Sequence, residues 1–184
     1  MFIKNKQTHV PFIMAAGTEI FWALVYIFIP IYIVKEFQSE GYVGFFLAAV
    51  TVPLILFEYF AGKVAVKKGY RKIFMNAYFT LSIICITSLF FIHNPYIILA
   101  IFILTSIPMA FTESLVDAFF FSQIKQKDEE KLYPIFTTAR SVGGIIGRLS
   151  LGLVIGFFSF QAGLILMGIL MFILSLVAFM SRFR

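Results

Sequence analysis

Six apolar runs, each long enough to cross a bilayer, constrain this chain more than any other feature. A spanning helix needs about 20 consecutive, mostly apolar residues. Such runs cover about 12–34, 42–64, 73–92, 96–122, 135–158 and 162–181. Hydrophobic residues make up 61% of the 184 positions and charged residues 13%. That is more apolar surface than a water-soluble core of this size can hide. No stretch alternates polar and apolar residues as a membrane-barrel strand would. The expected fold is therefore all-α and membrane-integral: a single six-helix transmembrane bundle over 1–184, without linker or second domain.

The first run is too long for a cleavable signal, and no small-residue cleavage site follows it, so it is expected to stay as the first span. Turn residues punctuate the connections: Ser39-Glu40-Gly41 after the first run and His93-Asn94-Pro95 after the third. Pro134 is expected in the first turn of the fifth helix, where a missing N–H matters little. Basic residues collect at one end of the bundle. Lys4, Lys6, Lys63, Lys67, Lys68, Arg71, Lys72, Lys125, Lys127, Lys131, Arg182 and Arg184 fall on that side, against Lys35 alone on the other. By the positive-inside rule both termini are expected in the cytoplasm, which an even number of spans permits. The formal net charge of +6 does not point to nucleic acid, because it sits in short loops rather than on a polar face. Topology and contact with anionic lipid account for it better.

Six charged residues lie inside the expected spans: Glu19, Glu58, Glu113, Asp117, Arg140 and Arg148. Such groups are costly in lipid and usually face a bundle interior or a watery cavity. At about 1.5 Å per residue, Glu19, Glu58, Asp117 and Arg140 lie roughly 7–11 Å from the basic end, Glu113 about 13 Å and Arg148 about 20 Å. Asp117 and Arg140, at matched depth on consecutive antiparallel helices, are expected to pair. Glu113 and Asp117 share a helix face and need a cation between them, either Arg140, Arg148 or a proton. Arg148 can hold an anionic substrate group or reach Glu113. Helices three and six carry no charge and are expected against lipid, with the other four around a polar interior.

Backbone breakers follow the same division. Pro30, Pro53 and Pro108 interrupt helices one, two and four, which membranes tolerate when neighbours satisfy the freed carbonyls. Gly143, Gly147, Gly152 and Gly156, with Gly144 beside them, form a small-residue face on helix five, read first as close helix packing. Trp22, Tyr26, Tyr32 and Tyr59 can line a cavity. The one cysteine, Cys85, lies in an apolar run, and His9 and His93 stand at span ends without a second ligand at metal spacing. No nucleophile motif, metal motif or phosphate-cradling loop is present. Neither an enzyme nor a cofactor or metal site is expected.

The loop Gly62-Lys63-Val64-Ala65-Val66-Lys67-Lys68-Gly69-Tyr70-Arg71-Lys72 carries the family signal. Six spans with a glycine-spaced basic loop between the second and third resemble one half of the major facilitator superfamily. Gly62, Lys67, Gly69, Arg71 and Lys72 match that family's loop motif, while Val66 stands where the motif has an acid. This departure, and the glycine-rich fifth helix with Arg140 at its start, resemble the C-terminal half. The echo of Met14-Ala15-Ala16-Gly17-Thr18-Glu19 in Met109-Ala110-Phe111-Thr112-Glu113 suits an internal repeat.

The resemblance implies a bundle of 3+3 inverted repeats and secondary active transport of a small solute by alternating access, with proton coupling open. It implies a second six-helix half as partner, either a separate chain or a homodimer, and a place in the cell (inner) membrane. The chain itself would be a separately encoded piece or an incomplete reading frame starting at an internal methionine. Glu19, Glu113 and Arg148 are expected to bind substrate or proton. Glu58, Gly62, Gly69, Arg71, Lys72, Asp117 and Arg140 are expected in a cytoplasmic gate, with Glu58 the nearest carboxylate to stand in for the acid missing at Val66. The alternative is a non-transporting membrane assembly partner or an inactive fragment.

Overall fold

A computed structural model describes residues 9–38 and 40–181. The expectations placed on Lys4, Lys6, Ser39, Arg182 and Arg184 lie outside the described residues. Among the described residues six helices are long and apolar enough to cross a membrane: α1 Val10–Phe37, α2 Gly41–Lys68, α3 Tyr70–Phe91, α4 Pro95–Gln123, α5 Gln126–Phe157 and α6 Phe160–Met180. The protein is an all-α membrane protein, and the apolar runs of the sequence mark its helices to within a few residues at most ends.

Local chemistry sets the ends and irregularities. Asn94 caps α4 by accepting the Ile97 N–H at 3.2 Å, with Pro95 following at a position that needs no donor. Ser159 caps α6 in the same way through the Ala162 N–H at 3.1 Å. Gly69 closes α2 at φ 78°, a conformation that a side chain would strain. In α1 a π-helical turn over Leu24–Phe28 absorbs Pro30, which has no N–H for the Tyr26 carbonyl. Pro108 likewise frees the Leu104 carbonyl, and α4 loosens at Thr105. There the hydroxyls of Thr105 and Ser106 donate to the carbonyls of Phe102 and Ile103, both at 2.6 Å.

Pro134 is not in the first turn of its helix. The continuous helix of α5 begins at Glu129, and Pro134 lies inside it. Acidic side chains at Glu129 and Glu130 favour a helix start upstream of the apolar run, so the span reaches past the hydrocarbon into polar surroundings.

The most extensive helix packing is α3 on α6, followed by α1 on α5 and α2 on α4. Exchanging α1–α3 for α4–α6 leaves this set of pairings unchanged. The close approach of α3 and α6 adds a packed seam that the charge pattern did not show, while Phe79, Ile83, Ile169 and Phe172 stay exposed on their other faces. Ser82 donates to the Gly168 carbonyl at 2.7 Å, and Ser175 to the Met75 carbonyl at 2.9 Å. Serine and glycine at the seam let the uncharged membrane-depth stretches of two helices bury a face against each other. Buried residues make up 44% of the apolar window in each of these helices, but only 11% in α2 and 22% in α5. The open faces of this half-bundle thus belong to two of the charge-bearing helices.

Candidate functional site around Arg140

Backbone contact between α1 and α5 brings the charges together. A Cβ at Gly143 would stand 2.6 Å from the Ala16 Cα, and one at Gly147 would stand 2.8 Å from the Ile20 Cα. Real Cβ contacts do not come so close, so glycine is what lets α5 lie directly on α1. The two helices run parallel there, so Glu19 lies about six residues, roughly 9 Å, further along the axis than Arg140, and the long arginine side chain reaches along α1 to meet it. On the other side of α1, buried Tyr78 of α3 fixes the register. Its hydroxyl lies 2.8 Å from the Thr18 hydroxyl and donates to the Met14 carbonyl at 2.8 Å. Neither the close approach at Gly143 and Gly147 nor the role of Tyr78 follows from spacing alone. The small-residue face on helix five was visible in the sequence, but not the helix it meets.

Arg140 is the hub. Its Nε and Nη2 both donate to Glu19 Oε1, at 3.1 and 2.8 Å. Nη2 also donates to Glu113 Oε1 at 2.5 Å, and Nη1 reaches Asp117 Oδ1 and Oδ2 at 3.2 and 3.4 Å. One guanidinium from α5 therefore holds carboxylates from α1 and α4. Charge-assisted bonds of this kind are roughly twice as strong as neutral ones, and the planar fork of arginine allows several at once. The remaining oxygen of Glu113, Oε2, accepts the indole N–H of Trp22 at 2.9 Å. Trp22 in turn stacks on Tyr26, with ring centroids 4.6 Å apart. On the basic side of the charges, Phe12, Phe120 and Phe136 form an aromatic knot. Phe120 and Phe136 are stacked at 4.2 Å, and Phe12 meets them edge-on at 5.7 and 5.6 Å. This knot closes the basic end of the cluster, while Tyr26 is exposed towards the other.

The expected Asp117–Arg140 pair is present, and the cation between Glu113 and Asp117 is Arg140. Glu19 and Glu113 join the same cluster, so the residues expected at a substrate site and those expected at a gate share one arginine. Arg148 does not reach Glu113. It donates from Nε to the Gly144 carbonyl at 3.2 Å and forms no ion pair among the described residues. A Cβ on Gly144 would stand 3.3 Å from Arg148 Nη2 and 3.9 Å from Glu19 Oε2, so the two groups flank the bare glycine. Glu58 stays out of the shared layer: its side chain is exposed on α2 and makes no ion pair among the described residues. Tyr59, one residue on, accepts a hydrogen bond from Lys63 at 2.9 Å. Tyr32 lies near the opposite end of the bundle, donating to the Ile92 carbonyl at 3.0 Å and stacked on Phe160.

In the α2–α3 loop, Gly69 supplies the turn. Arg71 donates to the Phe179 carbonyl and lies over the Phe179 ring at 5.3 Å, tying the loop to the end of α6. Lys72 is exposed, and nothing lies within 4 Å of a Cβ built on Gly62. The loop and the Arg140 cluster thus have different partners.

The sequence profile of the Major Facilitator Superfamily matches residues 12–184. Neither a curated protein nor a solved structure matches the chain. The match takes in all six spans and the whole Arg140 cluster, and its family comprises membrane transporters rather than enzymes. The chain belongs to the major facilitator superfamily, as a six-helix half of that fold.

Proposed function

We propose that this chain is half of a secondary active transporter that moves a small solute across the membrane by alternating access, together with a second six-helix half. The observation that carries the reading is the Arg140 cluster: three carboxylates from α1 and α4, gathered on one guanidinium inside the spans. Ionisable groups at that depth are expensive, face a bundle interior or a watery cavity, and mark solute or ion pathways. Glu19 and Glu113 are the carboxylates assigned to a cationic group of the solute or to a proton. Arg148, whose Nη groups donate no hydrogen bond among the described residues, is assigned to solute contact. Asp117 and Arg140 act in the cytoplasmic gate, with Glu58 and the loop residues Gly62, Gly69, Arg71 and Lys72. The shared arginine then links gate and site directly, since whatever draws Glu19 or Glu113 away loosens Arg140.

Two further features support the reading. The helix pairings map onto themselves when α1–α3 and α4–α6 are exchanged, as a 3+3 inverted repeat requires. The exposed flank of α5 carries Arg148 well inside the span, and a guanidinium there is poorly matched to lipid. A second half, a separate chain or a copy of this one, would cover the flanks of α2 and α5 and enclose Arg148. The charge count favours cytoplasmic termini in the cell (inner) membrane.

The test is uptake into vesicles containing this chain, alone or with a candidate partner half, across a solute panel with and without an imposed proton gradient. Glu113→Gln is expected to abolish proton-driven uptake while yield and elution volume stay unchanged. Undiminished uptake by that variant would remove Glu113 from the mechanism. A monomer inactive with every partner would instead indicate a non-transporting assembly protein.

A further inference from the structure

A groove of 260 Å³ runs along the outside of the bundle between α2, α3 and α4, away from the Arg140 cluster. Val64, Lys68, Asn76, Thr80, Pro108 and Phe111 are among the residues that line it. Its chemistry is graded along the membrane normal. Lys68 stands at the basic end, with exposed Lys67 and Lys72 beside it. Asn76 lies about 9 Å further in and Thr80 about 15 Å, counting along α3 from Tyr70. Both side chains are exposed, and neither has a hydrogen-bond partner among the described residues. At the deep end Pro108 and Phe111 offer only hydrocarbon.

We infer that this groove is a binding site for one anionic phospholipid. The order of groups matches the order in such a molecule. Ammonium groups meet the phosphate, the Asn76 amide meets the ester carbonyls of the glycerol backbone, and the apolar floor takes an acyl chain. An unpaired amide facing hydrocarbon would be costly, so a partner that supplies carbonyl oxygens at that depth is favoured over a bare alkyl chain. The basic mouth selects negative headgroups, because each lysine near a membrane surface strengthens binding of an anionic lipid about fivefold. The groove takes lining from α2, α3 and α4, so the same lipid would bridge α2 and α4. The inference concerns the outer surface and does not depend on transport.

Native mass spectrometry of the full chain with equal amounts of phosphatidylglycerol and phosphatidylcholine of identical acyl chains tests it. The parent protein is expected to retain one phosphatidylglycerol preferentially. Lys68→Gln should lower that preference about fivefold, whereas Lys125→Gln, in the other basic loop, should leave it intact. Thr80→Phe, which fills the groove without touching charge, should reduce retention of both lipids. Equal retention of the two lipids by the parent protein, or an unchanged preference in Lys68→Gln, would overturn the inference. Displacement of the lipid by glycerol 3-phosphate alone would also overturn it, by showing a phosphate site without a lipid groove.

Discussion

Replacing Arg140 with glutamine tests the cluster most directly. Arg140 is 18% exposed, Glu19 and Glu113 are each 27% exposed, and Asp117 is 42% exposed. Removing one partner of a fully buried ion pair costs about 3–5 kcal/mol, mostly because the other charge is left uncompensated. Partial access to water reduces this to about 2–3 kcal/mol here, with Asp117 contributing least because exposed pairs are worth little. For a chain of this length each kcal/mol moves the melting temperature by about 2–4 °C, so Arg140→Gln should melt about 4–12 °C lower. The protein carries its own reporter. Cys85 is its one cysteine and is fully buried, so a fluorogenic thiol reagent reads unfolding without added labels. Second-site neutralisation then ranks the partners. In the Arg140→Gln background, Glu19→Gln should restore much of the loss, because Glu19 accepts two of the guanidinium's bonds in a drier place. Asp117→Asn should restore little. If Arg140→Gln melted with the parent protein, or if Asp117→Asn rescued better than Glu19→Gln, Arg140 would not be the hub described.

Gly143→Ala and Gly147→Ala should each destabilise by about 1–3 kcal/mol through overpacking against α1. Gly156→Ala, where nothing lies within 4 Å, should be neutral or slightly stabilising, and thermal melts of the three variants compare them directly. Trp22→Phe should leave Glu113 Oε2 without its donor and lower the melting temperature by the equivalent of about 1–3 kcal/mol. Glu113→Gln, which preserves an acceptor for the indole, should shift the single-tryptophan emission without comparable loss. In intact cells an impermeant thiol reagent should label a cysteine placed at Asn94 and spare cysteines placed at Lys68 and Lys127, which should react only once the membrane is permeabilised. The reverse pattern would overturn the assigned orientation.

The helices and the ion pair could be read from sequence because each rests on a one-dimensional property. Spans are lengths of apolar residues, and Asp117 with Arg140 follows from equal depth on antiparallel neighbours. What escaped depends on which helices touch, and depth does not encode that. Glu58 has the right depth but sits on the exposed face of α2. Glu19, ninety-four positions before Glu113, joins it only because glycines let α5 lie on α1. Reasoning from charge also left the partnership of α3 and α6 unseen. Without ionisable groups they read as lipid-facing, and nothing in that reading shows that Ser82, Gly168 and Ser175 bring them together as the most extensively packed pair.

The geometry of Arg140 bears on how a transporter half could be switched. All three donor nitrogens of the guanidinium are engaged, and three carboxylates share them. A cationic solute or a proton that takes over one carboxylate removes one of the three negative charges holding the arginine, but leaves the backbone contact at Gly143 and Gly147 in place. The α1–α5 seam can therefore stay rigid while α4, which brings both Glu113 and Asp117, is released. The weak point of α4 lies on the other side of the cluster, where Pro108 frees the Leu104 carbonyl and hydroxyls substitute for the helix ladder. A charge change at Glu113, five residues beyond Pro108, would act on the helix segment best able to bend. In the proposed mechanism the moving part is therefore the cluster-bearing end of α4, and the pair α1–α5 is the frame against which it moves.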